Sequence, residues 1–236
     1  MMLASLILTI LLPHIVEANT EKTIFLGPPP VDVVAAQPRL ADLHVQILTP
    51  DNFTIRTYLE SSFPNHYSEY GEDSWFILDQ LSPGQRYEVR VCWAATSPSA
   101  FKLHAYEPTQ VFDDSHLSLR VSQYAQSLGS NDNGQTEHVP QSHSFHSFDR
   151  PSSVLLLQIF TLADYYTTNR TLMQYPPPVF VDIILDPFIL NVLPRSLLPT
   201  VGYIILVSAV SWYLGRWVSE QIHRMAQTPT GEKKSV

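Results

Sequence analysis

Hydrophobic and polar positions divide the chain into three regions of different periodicity. A short apolar run, Leu3 to Val16, comes first. A long middle region follows, in which apolar residues tend to alternate with polar ones, the period of a half-buried strand. A second apolar run, Leu197 to Trp217, precedes a polar tail.

The middle region predicts strands at Thr23–Leu26, Leu43–Leu48, Thr54–Leu59, Trp75–Leu78, Tyr87–Trp93, Phe101–Tyr106, Leu117–Val121, Val154–Thr161 and Val179–Leu185. Leu43, Val45 and Ile47 share one face, as do Tyr87, Val89, Val91 and Trp93. Glu88, Arg90 and Cys92 take the opposite face of the second strand. No long amphipathic helix is expected ahead of the second apolar run. Short strands separated by turn residues predict a mainly β domain built as a sandwich. Residues 127–150 are rich in Ser, Asn, Gln and Gly and predict a flexible loop inserted between strands. Pro28–Pro30 and Pro176–Pro178 predict stiff connectors.

The two apolar runs differ in kind. Leu3 to Val16 has the length of a signal-peptide core, and Val16-Glu17-Ala18 offers a cleavage site after Ala18. Residues 1–18 are therefore expected to be a signal peptide, although Lys and Arg are lacking at its start. The alternative is an uncleaved anchor. From Leu197 to Gly215 no residue is charged. At 1.5 Å per residue that stretch covers about 28 Å, close to a hydrocarbon core. Tyr203 lies towards one end, and Trp212, Tyr213 and Trp217 towards the other, as interfacial aromatics do. A transmembrane helix over 197–217 is expected. Arg216, Arg224, Lys233 and Lys234 follow it, which assigns 218–236 to the cytosol and 19–196 to the lumen.

Composition narrows the function classes. There are 22 acidic against 14 basic residues, a net charge of −8. No nucleic-acid partner is expected, because phosphate binding needs clustered cations. The single cysteine, Cys92, excludes an intrachain disulfide and reads as a buried structural thiol.

Candidate chemistry is sparse. His138, His143 and His146 lack a completing ligand set and read as solvated loop residues. Asp113-Asp114 and Glu69, Glu72 and Asp73 are carboxylate groupings of the sort that general acid–base chemistry uses, yet they sit among turn residues. No nucleophile elbow, zinc-protease motif or phosphate-binding glycine loop is present. No catalytic residue, cofactor or metal is therefore assigned. Two glycosylation sequons, at Asn52 and Asn169, lie on the side expected to be lumenal. Pro178 to Arg195 is strongly apolar, but Asp182, Asp186, Pro187 and Pro194 make it a poor second span. It reads as a last strand plus a stretch in which Phe188, Ile189, Leu190, Val192 and Leu193 face lipid or a partner, or else as ordinary core.

Three resemblances add to this. Leu81-Ser82-Pro83-Gly84-Gln85-Arg86-Tyr87-Glu88-Val89-Arg90-Val91 resembles the corner pattern of fibronectin type III domains, which implies a fibronectin III or immunoglobulin-like sandwich. Lys233-Lys234-Ser235-Val236 resembles the dilysine retrieval signal of type I membrane proteins of the endoplasmic reticulum (ER), which implies recognition of Lys233 and Lys234 by coat machinery. The whole plan resembles the small non-catalytic subunit of fungal GPI mannosyltransferase 2. That resemblance implies a polytopic catalytic partner in the ER membrane that adds the second mannose of the GPI precursor. An ER–Golgi cargo receptor or chaperone-like module is the competing expectation, and a lumenal enzyme the third.

Overall fold

The computed structural model describes residues 19–30, 43, 45–64, 68–130 and 152–226. The expected signal peptide, the three loop histidines and the Lys233/Lys234 tail lie outside the described residues.

Strands β1 (Asn19–Leu26), β5 (Arg86–Trp93), β8 (Val179–Ile189) and β3 (Thr54–Leu59) form one sheet in the order β1-β5-β8-β3, with the short β9 (Leu193–Pro194) paired to β8. Strands β2 (Ile47–Leu48), β4 (Glu72–Leu78), β7 (Leu155–Ala163) and β6 (Ser99–Tyr106) form the other, in the order β2-β4-β7-β6. Ladders within both sheets are antiparallel except β2–β4, which is parallel. The sheets face each other across one apolar core. Tyr87, Val89 and Val91 of β5 and Val181, Ile183 and Leu185 of β8 meet Phe76, Leu157 and Ile159 of the opposite sheet. Eight of the nine expected strand segments coincide wholly or in part with these strands; only Ile47–Leu48 of Leu43–Leu48 is strand.

A third layer corrects the expectation for Leu117–Val121. That segment belongs to a helix, α2 (Ser115–Ser130), which follows a short α1 (Pro108–Asp113). Leu117, Val121, Tyr124 and Ala125 pack on the outer side of β4 and β7 with Trp75, Ile77 and Leu156. Their spacing is one helical face, whereas Leu119, which completed the apparent alternation, is exposed. With both faces covered, β4 and β7 carry near-continuous apolar runs in place of alternating ones. The helix runs through Ser130, into the segment expected to be loop.

The turn from Leu81 into β5 forms as a physical unit. Ser82 N–H donates to the Tyr87 hydroxyl at 2.9 Å, and that hydroxyl donates to Gln85 Oε1 at 3.0 Å. Gly27 threads beside this turn; a Cβ there would collide with the Ser82 carbonyl oxygen. Beyond β9 a single 3₁₀ turn, Arg195–Leu197, leads into α4 (Leu198–Ala226). A further short helix, α3 (Arg170–Gln174), precedes β8.

Candidate functional site

Of the sequence-predicted acids, Asp73 and Asp114 hold the fold, whereas Glu69, Glu72 and Asp113 are exposed. Asp73 receives two hydrogen bonds from Arg120 on α2, at 2.7 and 2.9 Å, one from Gln158 at 2.8 Å and one from the Trp75 indole at 2.9 Å. Burial pushes its carboxyl up, but the hydrogen bonds from Arg120, Gln158 and Trp75 and the charge of Arg120 outweigh burial and hold it below the usual carboxylate range. Asp114 caps α2: its Oδ1 accepts from His116 N at 2.8 Å and Leu117 N at 3.3 Å. Among the described residues no three His, Cys, Asp or Glu side chains are grouped so as to hold a metal ion. Cys92, expected in the core, is half-buried, on the outward face of β5; Thr20 Oγ1 lies 3.6 Å from its sulfur.

The two sequon asparagines are both exposed. Asn52 lies in the turn before β3, where its backbone N–H donates to Thr49 Oγ1 at 2.9 Å. Asn169 caps α3, its Oδ1 accepting from Thr171 N at 3.0 Å. That bond leaves the amide nitrogen, the atom that would carry a glycan, out of the cap.

The densest polar arrangement left unassigned by the sequence lies where β8 hands over to α4. Glu88 and Asp186 are cross-strand neighbours on β5 and β8, only 4% and 5% exposed. The alternation had placed Glu88 on an outward face; it is buried there because other groups cover it. Lys22 reaches Glu88 at 3.1 Å, and Arg90 lies 3.7 Å from Glu88 and 3.9 Å from Asp186. Two carboxylates thus face two cations, which offsets the cost of burying either acid alone. The Ser196 backbone N–H donates to both Asp186 oxygens, at 3.2 and 3.3 Å. A carboxylate at the start of a helical segment also opposes the helix dipole favourably. This cluster clamps the entrance of α4 to the sheet.

Next to it, Ile189-Leu190-Asn191-Val192 forms the β8–β9 turn. Leu190 and Asn191 take left-handed φ values of 52° and 58°, and Val192 N–H donates to Ile189 O at 3.1 Å. Ile189 pairs with Leu193, so the loop has three residues, and its first two positions, both at positive φ, favour Asn and Gly. Asn191 suits its position; Leu190 costs about 1–2 kcal/mol there. The turn is tied to the Tyr87 corner. Asn191 accepts from Arg86 N at 2.8 Å and donates to Gly84 O at 3.0 Å, while Gln85 donates to Phe188 O at 3.2 Å. Phe188, for which the sequence left an outward and a core reading open, is buried at 6%; it lies on the same face of β8 as Asp186, with Arg86 over its ring. Leu190 and Val192 are 90% and 78% exposed.

α4 buries no residue against the described domain. Among the described residues it is the one helix long and apolar enough to cross a membrane. Arg216 pairs with Glu220 one turn on, at 3.6 Å.

No family model matches the chain, and no solved structure matches it. It is similar to a protein of Schizosaccharomyces pombe named as a GPI mannosyltransferase 2 subunit, with 35% identity over 136 residues, which is 58% of this chain. The chain spans about half the length of that relative, since the match covers 50% of it.

Proposed function

We propose that this chain is a non-catalytic accessory subunit of an ER GPI mannosyltransferase complex, where it stabilises a polytopic catalytic partner that adds the second mannose. The observation that carries this is the 35% identity to the S. pombe subunit. The occupied state of the acids supports a non-catalytic role: Asp73 and Asp114 are spent on packing and capping, and Glu88 and Asp186 on the α4 clamp.

In this reading α4 is the single type I span. Its small residues Ser211, Gly215 and Ser219 recur at four-residue spacing, which permits close approach of a neighbouring helix. Residues 1–18 are a cleaved signal peptide, Asn52 and Asn169 carry glycans in the lumen, and Lys233 and Lys234 are read by coat machinery in the cytosol. The Tyr87 corner supports a fibronectin III or immunoglobulin-like relationship for the sandwich, with the helical layer and the parallel β2–β4 pair as departures from it.

Purification of the full chain in mild detergent is expected to bring down a multispanning transferase, and depletion to accumulate a GPI precursor with one mannose. Recovery of soluble secretory clients with normal GPI synthesis would overturn the proposal in favour of a cargo receptor.

A further inference from the structure

We propose that the tip of the β8–β9 hairpin, Leu190 with Val192, is a second membrane contact: it rests in the lumenal interface of the bilayer that α4 crosses. The occupant is lipid. This inference rests on the reading of α4 as a membrane span and adds a docking surface to it.

Exposure is the first observation. Leu190 and Val192 present large aliphatic side chains almost wholly to the surroundings, at 90% and 78%. Conformation is the second. Leu190 occupies a left-handed position that Asn or Gly fills at less cost, and its side chain returns little packing to the domain. A residue that is unfavourable for the turn and nearly idle in the core is explained by a contact outside the chain.

Position selects the bilayer as that contact. Leu198, the first residue of α4, lies six residues after Val192. The clamp of Ser196 on Asp186 returns the chain to a point four residues before Leu190 on β8, roughly 13 Å at strand spacing. Leu197 and Leu198, themselves about half exposed, continue the apolar surface into the helix. Exposed Arg86 and Arg195 flank the turn, where their cations would meet lipid headgroups. Rigidity completes the case, because Asn191 and Gln85 fasten the tip to the Tyr87 corner. A fixed tip beside a clamped helix entrance gives the lumenal domain two points of attachment and therefore a defined tilt over the membrane.

The test uses the full chain alone in phosphatidylcholine vesicles, with Cys92→Ser and one new cysteine carrying an environment-sensitive fluorophore. Three positions are compared: Leu190→Cys, Tyr203→Cys in α4 and Tyr166→Cys, an 87% exposed site before α3. Quenching by lipids labelled near the headgroup is expected at Leu190 and Tyr203, with Tyr166 quenched only from water. A water-exposed Leu190 beside a lipid-quenched Tyr203 overturns the inference and leaves the anchor standing. A water-exposed Tyr203 overturns both. A second variant, Leu190→Gly, is expected to raise the melting temperature of the domain in detergent by a few degrees. A lower melting temperature would show that the leucine serves the fold and would also overturn the inference.

Discussion

Asp73 shows how much one carboxylate carries. Four hydrogen bonds converge on it, and Arg120 brings the whole helical layer with it. Its folded-state pKa is lowered, so the ionised form stabilises the fold. That contribution is fully present above the unfolded carboxylate value, about 3.9, and is lost as pH falls through the lower folded value. Asp73→Asn is expected to cost about 2 kcal/mol at neutral pH and to flatten the acid limb of stability below about pH 4, as read by thermal unfolding across pH. An unchanged acid limb would mean that other carboxylates dominate there. Asp73 was visible in the sequence as one acid of a cluster. Its role was not, because Arg120, Gln158 and Trp75 come from three different elements.

The handover from β8 to α4 behaves as one element. Asp186 holds the Ser196 N–H, and Arg90 and Lys22 hold the acids in place. Replacing Asp186 by Asn weakens the clamp without adding bulk. Tryptic cleavage after Arg195 is expected to accelerate by about tenfold, the loss of one charge-assisted hydrogen bond, while cleavage after exposed Arg170 stays near its original rate. Equal acceleration at both sites would indicate general unfolding and count against a local clamp. The hairpin itself was partly legible: Asn191 is a turn residue between apolar flanks. The neighbouring Leu190 and Pro187 concealed it, since neither is typical of its place. At α2 the error ran the other way. Leu117, Leu119 and Val121 alternate, but Val121, Tyr124 and Ala125 continue a helical face, and the Asp114 cap marks its start.

For the whole molecule, the proposed topology and address are tested together. Replacing Lys233 and Lys234 by Ser is expected to release the protein to the Golgi, where the glycans on Asn52 and Asn169 are further processed and the mass rises. Replacing both asparagines by Gln should lower the mass and remove that shift. An unprocessed Lys-to-Ser variant would show that assembly with the partner, not the tail, retains the protein. The fold is consistent with such a partner-holding role: a sandwich stiffened on one side by helices and fastened at the α4 entrance on the other.

Local pattern alone determined the β class, most strand positions, the Tyr87 corner, the sequons and the long apolar helix α4. Each of these is set by neighbours in the chain, through side-chain period, turn chemistry or uninterrupted apolar length. Only the tertiary structure decided which faces were covered. It placed a helical layer over Trp75 and Ile77, buried Glu88 with Asp186 and their cations, and covered Phe188 with Arg86 while leaving Leu190 outside. Those outcomes depend on pairing between strands that are about 100 residues apart, as Glu88 and Asp186 are, and a one-dimensional pattern does not encode that register.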